Sequence, residues 1–140
     1  AKQAKSFMSK AKLHSMEELE DSWWNLYETL LSTDRAVELS LKIELEDFLY
    51  HMQKLIHNKK LSTGENLTDD VSIDTAAFDD SQCIGDWCAH FNSTWKNHKL
   101  VGMDIGTDSL VLMVLSNEEF KRAQELAKEL LHRIDVAERL

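Results

Sequence analysis

A chain of 140 residues, 43% hydrophobic and 29% charged, is long enough for one domain around one core. Its net charge of −9 counts against sequence-independent binding of nucleic acid, which needs clustered Lys and Arg on the phosphates. No apolar run approaches the ~20 residues of a membrane span, and two cysteines, Cys83 and Cys88, fall short of a disulfide framework, so reduced thiols in a cytoplasmic protein are expected.

The charge is unevenly spread. Residues 1–14 hold Lys2, Lys5, Lys10 and Lys12 and no acid, whereas the rest of the chain carries 12 bases and 25 acids. This basic N-terminal extension is either the remnant of a fusion, with Met8 or Met16 as the natural start, or a short amphipathic helix of the native protein. Residues 15–140 read as a single domain.

Ser15 followed by Glu18 has the spacing of a capping box. Behind it Met16, Leu19, Trp23, Leu26, Tyr27, Leu30 and Leu31 predict an amphipathic helix. Thr33 or Asp34 can cap a second helix, along which Val37, Leu41, Leu45, Phe48, Met52, Leu55 and Ile56 keep the helical period. Val37, Leu39, Leu41, Ile43 and Leu45 also alternate as a strand would. Helix is preferred because Glu, Lys and Leu dominate and the helical period continues to Ile56. Residues 58–70 are a loop by composition, and Val71-Ser72-Ile73 is a candidate short strand.

Asp79 with Gln82 repeats the capping-box spacing ahead of a third helix, where Ile84, Trp87, Cys88, Phe91 and Trp95 share one face. Leu100–Ile105 and Leu110–Leu115, separated by Gly106-Thr107-Asp108-Ser109, predict a hairpin whose Asp108 and Ser109 side chains bond the turn backbone. Ser116 with Glu119 starts a last helix carrying Phe120, Ala123, Leu126, Ala127, Leu130, Leu131 and Ile134 on one face. The expected fold is α+β, in the order ααβαββα: a small antiparallel sheet of two to three strands packed with about four helices. The unbroken apolar run Leu110–Leu115 suggests a sheet covered on both faces.

Phosphate-cradling, dinucleotide-binding and common hydrolase motifs are absent. Cys83, Cys88 and His90 lack the spacing of a structural zinc site, and Cys88 falls on the apolar face of its helix. No metal and no cofactor is implied. Trp23 and Trp87 belong to core faces, while Trp24 lies to one side of its helix and is the best candidate for partial exposure.

One feature points to function. The 35 positions between Lys60 and Lys96 contain no Lys or Arg but seven acids: Glu65, Asp69, Asp70, Asp74, Asp79, Asp80 and Asp86. Carboxylates without local cations create a field that attracts a basic partner, and these seven are the candidate partner-binding residues. The alternatives are a regulatory adaptor domain with a helical groove, or an enzyme of unfamiliar class using Asp104, Asp108 or His90.

The segment from Leu100 to Leu112, Leu-Val-Gly-Met-Asp-Ile-Gly-Thr-Asp-Ser-Leu-Val-Leu, followed by the helix from Asn117, resembles a strand-turn-strand-helix unit of small bacterial proteins. With its acidic body, the chain resembles the immunity proteins of contact-dependent and polymorphic toxin systems. That resemblance implies a non-enzymatic protein that neutralises a basic partner such as a toxin nuclease domain, with no direct contact to nucleic acid or membrane.

Overall fold

The computed structural model describes residues 12–63 and 70–140. Two adjoining apolar segments set its centre: β2 (His98–Met103) and β3 (Ser109–Ser116) pair antiparallel, with Leu100 opposite Val114 and Val101 opposite Met113. Their side chains alternate between two faces and are buried on both. Each fully buried Leu or Val contributes roughly 1.5–3 kcal/mol, so both faces must be covered.

The cover comes from four helices. On one face α2 (Leu45–Thr63) and α3 (Ile84–Thr94) place Phe48, Met52, Leu55, Trp87 and Phe91 against Leu100, Leu112 and Val114. On the other, α1 (Lys12–Ser32) and α4 (Asn117–Glu129) bring Trp23 and Ala127 against Val101, Met103, Val111 and Met113. Ser116 caps α4 as its spacing requires: its hydroxyl accepts the Glu119 N–H at 3.1 Å, and the Glu119 carboxylate accepts the Ser116 N–H at 2.9 Å. The α+β class is therefore the observed one, with a sheet covered on both sides.

The sheet has four strands rather than two to three, in the order β1-β3-β2-β4, all antiparallel. Both extra strands lie in segments expected to be helical. β1 (Ala36–Ser40) pairs with the outer edge of β3, Leu39 facing Leu110. Its alternation sends Leu39 to the α2–α3 side and Ala36 to the α1–α4 side. The open edge of a buried β3 needs a partner more than α2 needs two further turns. Ser40 then ends the strand, its Oγ accepting the Lys42 N–H at 3.2 Å and its carbonyl the Ile43 N–H at 3.1 Å. At the far edge β4 (Ile134–Val136) pairs with β2, so Ile134 belongs to a strand; α4 stops at Glu129 and Leu131 turns the chain with φ of 60°.

Three smaller expectations are corrected. The described part of α1 is already helical from Lys12, ahead of Ser15, so Ser15 does not start it. Val71–Ile73 forms no strand, although Val71 is buried. In the hairpin turn Asp104 Oδ1 accepts the Gly106 N–H at 2.9 Å and Thr107 Oγ1 the Ser109 N–H at 3.2 Å, so Asp104 and Thr107, not Asp108 and Ser109, bond the turn. Gly106 has φ of 71°, a conformation few other residues accept.

No helix among the described residues is long and apolar enough to cross a membrane.

Candidate functional site

Residues 70–83 return along α3 from its C-terminal end to its N-terminal end, held by Trp87 of that helix and by Trp95, its C-cap. Trp95 Nε1–H donates to the Ser72 carbonyl at 3.3 Å, and Trp87 Nε1–H to the Asp79 carbonyl at 2.9 Å. Between these clips a single 3-10 turn (Thr75–Ala77) forms, and Phe78 packs on His90 and Phe91 with ring centroids 4.8 and 5.0 Å away. Because the segment is laid out along α3, acids that are close in sequence are spread over the length of a helix, roughly 16 Å for eleven residues.

The seven candidate acids therefore separate. Glu65 and Asp69 lie outside the described residues. Asp70 sits beyond the C-terminal end of α3, where it accepts the N–H groups of Lys96 and Asn97 and meets His98. Asp74 caps the 3-10 turn, its Oδ1 accepting the Ala76 N–H at 3.2 Å. Asp79, Asp80 and Asp86 gather at the N-terminal end of α3. Asp79 accepts the Ser81 N–H at 2.9 Å, a bond that holds its carboxyl below the usual carboxylate range. It does not cap α3. That helix starts from Cys83, whose N–H and Sγ–H both donate to Asp86 Oδ2 at 3.3 Å.

Among the described residues, Asp74, Asp79, Asp80 and Asp86 form no ion pair. The acids at the α3 N-terminus are thus unpaired in three dimensions as well, although Lys42 lines the same groove as Asp80. Asp80 differs from its neighbours in also making no side-chain hydrogen bond among the described residues. Its charge is spent on nothing local.

Asp80 stands on the rim of a groove of about 820 Å³ between the β1–α2 turn and the start of α3. Leu41, Ile43, Ile84 and Trp87 line the apolar part, and Leu41 is 51% exposed. Glu44 and Glu46 face Asp80 from the other bank, with Lys42 the one cation among the lining residues. Glu44 and Glu46 are functional candidates that the sequence left hidden. They lie outside the cation-free block, in a segment read as mid-helix, and only the β1–α2 turn brings them beside Asp80. The signal that could have revealed the turn is Ser40, a residue suited to bonding the backbone two positions on.

Other candidates do not assemble. Cys83 is exposed and Cys88 buried, the latter with its thiol pushed up to about 12 by burial and, secondarily, by Glu138 and Cys83. Asp104 lines a hollow of about 120 Å³ with Leu41, Thr107 and Arg133 that includes neither Asp108 nor His90. Among the described residues, no group of three or more His, Cys, Asp or Glu could hold a metal ion. Trp24, at 36% exposure, is the most open of the four tryptophans, and its indole N–H donates to Glu20 at 2.9 Å.

The chain belongs to the family described as Domain of unknown function (DUF6630), whose family model matches residues 2–137. Neither a curated protein nor a solved structure matches it.

Proposed function

We propose that this DUF6630 protein is a non-enzymatic cytoplasmic binding protein that neutralises a basic partner, and that the partner is a toxin nuclease domain. The observation that supports this reading is the acidic groove: Glu44, Glu46 and Asp80 ring an apolar floor, with Asp79 and Asp86 close by and no cation paired to any of the five among the described residues. A nuclease must carry Lys and Arg where it holds phosphates. An acidic surface of this kind speeds encounter with such a cleft and selects it, while the apolar floor supplies contact area that survives screening by salt. Occlusion of the cleft then blocks the enzyme without chemistry.

The test uses Glu44→Lys, Glu46→Lys and Asp80→Lys together, three exposed side chains on which no described contact depends. Partner capture from source-cell lysate is compared for wild type and variant at low and high salt. A basic protein held by the wild type, released by salt and lost from the variant is the expected result. Equal retention by both proteins would sink the charge-based reading. Asp70 is unsuitable for such a test because its loss would disturb the α3–β2 connection itself.

The exposed Leu41 and the apolar floor favour a second reading, an adaptor domain that seats an apolar helix. Its signature is partner retention that ignores salt and the triple charge reversal but is lost with Leu41→Asp.

A further inference from the structure

β1 is an edge strand. β3 pairs with one side of it, and among the described residues no strand pairs with the other. The alternation of the sheet fixes which backbone groups face outward. The Leu100 N–H and carbonyl bond the Asn92 side chain at 2.8 and 2.9 Å, so they point away from β3. Val101, the next residue of β2, therefore bonds Met113, and Val111, Met113 and Leu115 spend their backbone groups on β2. Leu110 and Leu112 are left to bond β1, through Leu39 and Val37. The N–H and carbonyl of Ala36 and Glu38, and the Ser40 N–H, thus face outward, while the Ser40 carbonyl accepts the Ile43 N–H at 3.1 Å.

The two flanks of this edge differ. The side chains of Ala36, Glu38 and Ser40 share the α1 side of the sheet. Glu38 is exposed there; its carboxylate accepts the Tyr27 hydroxyl of α1 and forms no ion pair among the described residues. The Tyr27 hydroxyl is held above its usual range, first by that bond, then by burial and by the charges of Glu38 and Glu28, so this flank is electronegative. On the α2 side a recess of about 190 Å³ opens between Ala36 and Val37 and one stripe of α2, His51, Lys54, Leu55 and Asn58.

Unpaired edge groups are a template for another strand. A second copy of β1 suits the edge poorly. An antiparallel pair that overlaps all five residues sets Glu38 against Glu38, and like charges directly opposite each other are destabilising. A cation in the same place is stabilising. We infer that the outer edge of β1 accepts a fifth strand, an extended segment of a partner protein with Lys or Arg at alternate positions. One cation sits opposite Glu38, and the intervening side chains turn toward the α2 recess. This surface is separate from the acidic groove, and the inference does not rest on that groove.

The probe is a nine-residue peptide alternating Val and Lys, added to the full chain. With Lys opposite Glu38, the Lys residues turn their own N–H and carbonyl to β1 and the Val residues turn theirs to solvent. N-methylation of the Lys amides should therefore weaken binding about tenfold or more, and N-methylation of the Val amides should leave it unchanged. On Glu38→Lys, a peptide alternating Val and Glu should become the tighter ligand. Hydrogen exchange followed by NMR gives a second readout. In the free protein the Glu38 and Ser40 amides should exchange faster than those of Val37 and Leu39, and the peptide should slow the first pair alone.

No binding, or the same effect from both methylation patterns, would overturn the inference. So would a Glu38 amide already slow in the free protein; protection that grows with protein concentration would make a second copy the occupant. Binding that ignores methylation and is lost with Glu44→Lys, Glu46→Lys and Asp80→Lys together would put the peptide in the groove. Strand addition would then fall while the reading above stands.

Discussion

His98 Nδ1 lies 2.7 Å from Asp70 Oδ2, and the same carboxylate accepts the Lys96 N–H at 2.7 Å and the Asn97 N–H at 3.0 Å. One acid thereby closes the connection between α3 and β2. Burial pushes the Asp70 carboxyl up, but the bonds from His98, Lys96 and Asn97 outweigh it and hold the group below the usual range. A carboxyl with a lowered folded value adds stability above its unfolded value and loses it as pH falls through the folded one. At neutral pH, Asp70→Asn should cost about 1.5–3 kcal/mol, the worth of a hydrogen bond to a charged group. The gap from wild type should narrow once pH drops below ~3.9. Urea denaturation of both proteins across that range tests it; a gap indifferent to pH would show that the charge on Asp70 is not what matters.

The three acids at the start of α3 should separate in a stability assay. Asp80→Ala removes no described contact and should stay within about ±0.5 kcal/mol of wild type. Asp86→Ala removes the acceptor for both Cys83 donors and a favourable charge in the first turn of the helix, worth about 0.3–1 kcal/mol. Thermal denaturation should therefore place Asp86→Ala below a pair formed by wild type and Asp80→Ala. The reverse order would mean that Asp80 has a structural partner.

Cysteine chemistry should be wholly one-sided. With its thiol pushed up to about 12, chiefly by burial, Cys88 holds almost no thiolate near neutral pH. Native protein treated with excess iodoacetamide near pH 8 should gain one adduct, at Cys83, and a second only after unfolding. Two adducts on native protein would place Cys88 within reach of solvent.

Gly102 pairs with Leu112 in the middle of the sheet and faces Leu140. A Cβ there would come within 2.1 Å of Leu140 Cδ1 and 3.5 Å of Ala137 Cα. The first contact is the tip of an exposed side chain that can swing away, so Gly102→Ala should cost no more than ~1 kcal/mol. Gly102→Leu must move the Ala137–Arg139 turn as well and should cost about 1–3 kcal/mol. Comparing both denaturation midpoints checks this; equal losses would show that Leu140 is not free to yield.

The elements that were legible in the sequence are those in which one period acts alone. The apolar runs of β2 and β3 lie together with a glycine turn between them, and Ser116 with Glu119 marks the start of α4 without ambiguity. β1 was hidden because its alternation joins the helical stripe of α2 in phase, through a turn that contains neither glycine nor proline. β4 was hidden for a related reason. Ile134 continues the α4 stripe, and the residue that takes positive φ after that helix is Leu131, where glycine would have announced the end. Of the candidate site, the cation-free block and the place of Asp80 in it could be read from the chain. Glu44 and Glu46 could not, because their place beside Asp80 depends on the strand that was read as helix. Nor could the partnership of Asp70 with His98, 28 positions apart.

The two indole clips on α3 bear on how freely the chain can vary in length. Trp87 and Trp95 are about 12 Å apart along the helix axis, whereas the residues they anchor, Asp79 and Ser72, could span about twice that if extended. The piece between them is slack, taken up by the Thr75–Ala77 turn. A residue lost or gained from 73 to 77 would change only the depth of that bow. The same change from 80 to 83 would slide Asp80 along its bank of the groove. Relatives of this chain should therefore differ in length ahead of Asp79 and keep constant spacing from Asp79 to Trp87.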